Sequence, residues 1–335
     1  MRWRRTDAMS QFGLVFGALC LSASAILLKL ASTTPATATA ARCLLALPVV
    51  VALAIPEWQR GEGLSRRGVL SAVCCGALFA ADMLLWTQAI PEVGAGLSTV
   101  LVNTQVAIVP FLTWLVDRER ISRRFLLALP VLLAGVMLAG GLLEHGFSGA
   151  DHARGTLHAV GAAVCYSGFL FLLRRGGQSG RPMQTYAIVL ATSAVVAAAV
   201  GPWWHGFDLW PGWRAIGWLT LVAITGQLLG WLLVAVLSAR LPSTVSSALL
   251  LLMPVGAVAL GAGALRERPS PLQLAGCALV LIAGYLGSVK RPAPARGESC
   301  GPSLFERQTD RSETREVGDE LVAGARVDRP RARSR

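Results

Sequence analysis

The chain has 335 residues, of which 54% are hydrophobic and 15% charged, where a soluble domain carries roughly a quarter charged. A surface so poor in charge needs lipid around it. The net charge of +12 does not point to nucleic acid, because the arginines sit at the ends of apolar runs as topology signals and form no basic patch interleaved with aromatics.

A helix needs about 20 mainly apolar residues to cross a hydrocarbon core of ~30 Å. Runs of that length predict ten spans in chain order, at 12–32, 35–55, 68–90, 93–116, 125–143, 155–173, 183–204, 213–238, 243–265 and 271–289. The run from Phe12 to Ser32 is too long for the core of a cleavable signal and reads as a first span. Helices are expected throughout, since lipid-facing backbone must bond within its own segment and the alternation of barrel strands is absent. The resulting class is an all-α integral membrane protein.

Basic residues orient it. With a cytoplasmic N-terminal segment (1–11), the inner connectors hold Arg2, Arg4, Arg5, Arg60, Arg66, Arg67, Arg118, Arg120, Arg123, Arg124, Arg174, Arg175, Arg181 and Arg240, and the outer ones only Arg154, Arg214, Arg266 and Arg268. The positive-inside rule then places both termini in the cytoplasm of a multi-pass protein of the cell membrane. Trp203, Trp204, Trp210 and Trp213 gather at one outer connector, as interfacial aromatics do. Residues 290–335 mix ten Arg with eight acidic residues and hardly any apolar cluster, the composition of a disordered tail. Six cysteines lie inside apolar runs and read as small buried hydrophobes, with no disulfide framework and no zinc spacing.

Two stretches repeat at an offset of 148 residues: Glu119-Arg120 with Ser122, and Glu267-Arg268 with Ser270, each just after a span. Thr99 pairs with Ser247, Leu112 with Leu260 and Leu133 with Leu281 at the same offset. The offset covers five spans. Five is odd, so the second copy must enter the membrane from the opposite side, giving two inverted five-helix repeats at 12–143 and 155–289, a common construction for secondary transporters.

The run Leu249 to Val255 with its Pro254, followed thirteen residues later by Glu267-Arg268, resembles the end of an EamA domain of the drug/metabolite transporter superfamily. So does the first half, where Lys29 closes the first span, Pro35 opens the second and Arg42 lies within it. The sequence departs from the pattern at Val106, which stands opposite Pro254, and at Met253, where an acidic residue is frequent. The resemblance implies a ten-helix carrier, commonly an exporter of metabolites, amino acids or drugs by alternating access, with a central cavity lined by spans 1, 3, 4, 6, 8 and 9.

Polar residues inside spans are costly and mark candidate sites. Asp82 is the one carboxylate well inside a run, with Trp86 four residues on and hence on the same helix face. Gln227 and Trp231 repeat that spacing in the matching span, and Asn103, Gln105 and Tyr166 add hydrogen-bonding groups. These seven are the candidate substrate-binding residues, with Asp82 as cation ligand or carrier of a coupling proton. Lys29 and Arg42, toward the ends of their spans, are expected to snorkel to water or make structural contacts. Glu119 and Glu267 are expected to make helix-terminal contacts, and the four histidines to be solvated. No nucleotide-binding signature, cofactor motif or catalytic constellation appears. The expected partners are a small-molecule substrate, the bilayer and protons, with a homodimer left open. The alternative reading is a non-transporting sensor or assembly partner.

Overall fold

The computed structural model describes residues 2–59, 63–118, 123–139, 150–176, 181–238 and 252–288, all within one unit, Met1–Val289. The described residues are helical and contain no strand. They form α1 (Arg2–Ala31), α2 (Pro35–Gln59), α3 (Arg66–Val93), α4 (Ala95–Val102), α5 (Gln105–Asp117), α6 (Arg123–Ala139), α7 (Ala150–Gly176), α8 (Pro182–Val200), α9 (Trp213–Val222), α10 (Trp231–Ser238), α11 (Leu252–Ala264) and α12 (Pro271–Ser288). A π-helical stretch, Ala223–Gly230, joins α9 to α10 without a break.

Six helical stretches among these residues are long and apolar enough to cross a membrane: Met9–Ala31, Pro35–Gln59, Arg66–Val93, His152–Leu173, Pro182–Trp203 and Trp213–Val234. The other predicted spans are represented by shorter apolar helices or broken ones, so the ten-span count is not met element by element. The fourth predicted span, 93–116, is two helices, α4 and α5. Its apolar run is continuous, but its polar side chains compete for the backbone. Ser98 Oγ and Thr99 Oγ1 both donate to the Ala95 carbonyl, and Asn103 Nδ2 donates to Thr99 O at 2.8 Å. The Asn103 and Thr104 amides then bond three residues back, to Val100 and Leu101, so the coil tightens and restarts. The beginning of the ninth predicted span, the motif around Glu119 and the tail at 290–335 lie outside the described residues.

Which face of each helix turns inward follows from size more than from hydropathy. On α2, Ala36, Ala40, Cys43, Ala46 and Val50 are buried while Leu44, Leu45, Val49 and Leu53 are exposed. In lipid large aliphatic side chains lose nothing by facing out, and small ones let helices approach closely. Gly135 on α6 shows the consequence: a Cβ there would meet the backbone of α12 at Val280 N, 2.9 Å away. Near the Gly201–Trp203 turn, Trp203, Trp210 and Trp213 stay exposed, as expected of interfacial aromatics.

The helix pairs obey an exchange of halves. With the first five predicted spans numbered against the last five, α3 packs on α7 as α1 packs on the α9–π–α10 span, and α1 packs on α11 as α4 and α5 pack on α7. The pairs α2 with α8, α6 with α12 and α4 with α11 are their own counterparts under the exchange. One set of contacts is thus made twice, as a duplicated bundle requires.

Candidate functional site

The α4/α5 break and the π-helical stretch face the same cavity. Its wall carries Leu21 and Ser24 from α1, Arg42 from α2, Asp82, Met83 and Trp86 from α3, Thr99 and Val102 from α4, Gln105 from α5, Tyr166 from α7, Val222, Gly226, Gln227 and Trp231 from the α9–π–α10 span, and Met253 from α11. The space open to the centres of water-sized molecules is about 80 Å³, room for a few waters or a small solute.

Six of the seven residues singled out in the sequence are on this wall: Asp82, Trp86, Gln105, Tyr166, Gln227 and Trp231. Both polar-then-aromatic pairs therefore meet at one place. Asn103 does not line the cavity; it is buried and its amide is spent on Thr99 O, so it shapes the helix break. The π-helical turn brings Gln227 inward, where its Nε2 lies 3.8 Å from Cys43 Sγ, while its backbone carbonyl accepts from Tyr186 Oη at 3.1 Å. Such a turn inserts one residue into the helical repeat and leaves backbone groups partly free, which is why it recurs at functional sites. Trp231 is held edge-on by Phe79, Tyr166 and Phe169 at centroid distances of 6.3, 5.9 and 5.9 Å.

Of the two roles expected of Arg42, it takes the structural contact. It does not snorkel: only 2% of it is exposed, and its guanidinium carbon stands 5.8 Å from the centroid of the Trp86 ring. Its neighbours one and two turns on, Ala46 and Val50, are buried on the same helix face. Several polar atoms of the wall have no hydrogen-bond partner among the described residues: Arg42 Nε and Nη2, both Asp82 carboxylate oxygens, Trp86 Nε1 and Gln105 Oε1. Buried polar groups are nearly always satisfied, so a cluster of unsatisfied ones marks a place for water or ligand. Among the described residues no group of three His, Cys, Asp or Glu could hold a metal ion.

A second polar cluster closes one end of the bundle. Glu267 Oε1 accepts from Lys29 Nζ at 2.7 Å and from the Ala95 amide at 2.9 Å, and Oε2 accepts from the Gly96 amide at 3.3 Å. A carboxylate at a helix N-terminus satisfies donors that have no partner within the helix and complements the helix dipole. The expected helix-terminal role of Glu267 holds, but its cation is Lys29 from the other half. Gly94, at φ +95°, makes the turn into α4 directly against this carboxylate. Glu57 caps the N-terminus of α8 in the same manner, through the amides of Met183 and Gln184. His158 is also paired, its Nδ1 2.7 Å from Glu92 Oε2.

The model of the EamA-like transporter family matches the sequence twice, over residues 9–141 and 153–288. No curated protein matches it. A solved structure titled "Crystal structure of protein" superposes with a TM-score of 0.55 at 17% identity, over 84% of this chain and 97% of its own. At that identity the likeness speaks for the fold alone.

Proposed function

Because this chain belongs to the EamA-like transporter family, and so is a multi-pass membrane transporter of the drug/metabolite type, we propose that it is a secondary exporter that moves a small solute through the Arg42–Asp82 cavity by alternating access. The observation that carries this reading is the cavity itself, where unpaired polar atoms, a broken helix and a π-helical turn meet between the halves. Irregular backbone at membrane depth is tolerated where it lines a cavity or is buried in protein.

The ten predicted spans form two inverted repeats, with both termini in the cytoplasm. Support comes from the unequal arginine distribution, the double family match and the exchange symmetry of the helix pairs. Rocking one half against the other would expose the cavity to either side. The Lys29–Glu267 pair ties α1, α4 and the link between α11 and α12 at one end. It acts as the contact that must open for the cavity to reach that side.

The test is a solute screen on purified protein reconstituted in vesicles, with and without an imposed proton gradient. Saturable movement of a solute, lost when cavity residues are changed, is expected. A protein that binds and moves no solute, yet fails in cells when an exposed face is altered, would instead be a sensor or assembly partner. A reporter fused after Ser288 checks the topology; cytoplasmic activity is expected, and the opposite result removes the inverted-repeat argument.

A further inference from the structure

The cavity holds two ionisable groups of opposite sign, and among the described residues no direct bond joins them. Arg42 and Asp82 are 2% and 1% exposed and line the same cavity. Yet both Asp82 oxygens and two of the three Arg42 nitrogens lack a hydrogen-bond partner among the described residues. Two buried charges that do not close on each other give up most of the attraction that would offset their desolvation. The arrangement is costly unless something completes it.

The chemistry of that something is constrained from both sides. A plain cation would satisfy Asp82 but be repelled by Arg42 and leave the guanidinium unpaired. A plain anion would do the reverse. A ligand with both charges satisfies both and leaves the cavity neutral, which matters where the surroundings are apolar. The remaining wall is suited to an uncharged body, with Met83, Trp231, Tyr166 and Met253 around it. Trp86 under the guanidinium holds Arg42 by a cation–π contact and leaves the planar fork free to bind a carboxylate in bidentate fashion.

We propose that Arg42 and Asp82 form a two-headed site for a small zwitterion with an apolar body, the guanidinium taking its carboxylate and the Asp82 carboxylate its ammonium group. The site deepens the transporter reading and depends on it only for the claim that the bound solute moves.

The test measures binding to the purified full-length protein in detergent, by calorimetry or thermal stabilisation, with three probes of one shape: L-leucine, 3-methylbutylamine, which lacks the carboxylate, and 4-methylpentanoate, which lacks the amine. L-Leucine is expected to bind at least about tenfold more tightly than either single-charge probe, the discrimination expected of a lost charge-assisted contact. Arg42→Gln should bring leucine down to the level of the amine, and Asp82→Asn should bring it down to the level of the acid. Should Arg42→Gln fail to fold, Arg42→Lys, which keeps the charge but not the fork, is expected to weaken leucine while leaving the amine unchanged. Equal binding of amine and leucine, insensitivity of leucine to both substitutions, or binding of none of the probes by folded protein overturns the proposal. Leucine binding without transport would remove the transporter reading and leave the site standing. Transport of a solute with a single charge would do the opposite.

Discussion

The central cavity and the Glu267 cluster are built from the same materials, a carboxylate, a cation and a helix interruption, and differ in how completely the polar groups are satisfied. At Glu267 both carboxylate oxygens have donors: Lys29 and two amides of α4. In the cavity both Asp82 oxygens have none among the described residues. Satisfied polar networks fix one arrangement of a fold, whereas unsatisfied ones await a partner. The first is thus read as structure that must be opened, the second as the place where solute sits.

That contrast breaks if the largest expected effect fails. Asp82→Asn should lower solute transport by about tenfold to a hundredfold while leaving the protein folded, because it removes charge from a group that no contact among the described residues uses; ligand contacts to buried charges are worth roughly 1.5–3 kcal/mol. Undiminished transport by a folded Asp82→Asn protein would make this carboxylate a packing group and move the site toward Gln227, Gln105 and Tyr166. Trp231→Ala should destabilise the bundle by about 3 kcal/mol, since it removes a large ring held edge-on by three aromatic neighbours; a melting curve in detergent reads this out.

At the other pole the effects should be smaller and fall on stability and on the opening step. Glu267→Gln keeps the shape but weakens both the Lys29 contact and the cap on α4, an expected loss of about 1–2 kcal/mol. Its distinguishing mark is greater accessibility of Ser24→Cys to a membrane-impermeant thiol reagent from the Lys29 side, in a background whose native cysteines have been replaced. If accessibility does not change, the cluster is a static cap and not the contact that opens. Gly94→Ala should cost about 1 kcal/mol or more, because it forces a side chain into the positive-φ turn beside Glu267. A neutral result in the melting curve would show that this turn can relax away from the carboxylate.

Much of this was legible in the linear chain. Apolar run lengths located the helices, and the Glu-Arg-x-Ser repeat marked the duplication, because both depend only on local composition and order. The four-residue spacing of Asp82 to Trp86 and of Gln227 to Trp231 placed each pair on one helix face without any knowledge of neighbours. Those residues did turn out to share a wall. The interruption within the run 93–116 was not legible, because hydropathy passes through Asn103 undisturbed and the break arises from hydrogen bonds that Ser98, Thr99 and Asn103 make only once the backbone is placed.

The sequence alone therefore determined a membrane-embedded, duplicated helical chain, since the demand of lipid for continuous apolar length acts on each segment by itself. Only the tertiary structure decided which face of each helix meets its neighbours. For α2 that choice turned Arg42 into the cavity beside Asp82, away from the interface where its position suggested it would reach water. It likewise joined Lys29 to a glutamate 238 residues away. Such choices rest on small residues letting helices approach and on polar groups finding partners across them, and neither is a property of one segment read alone.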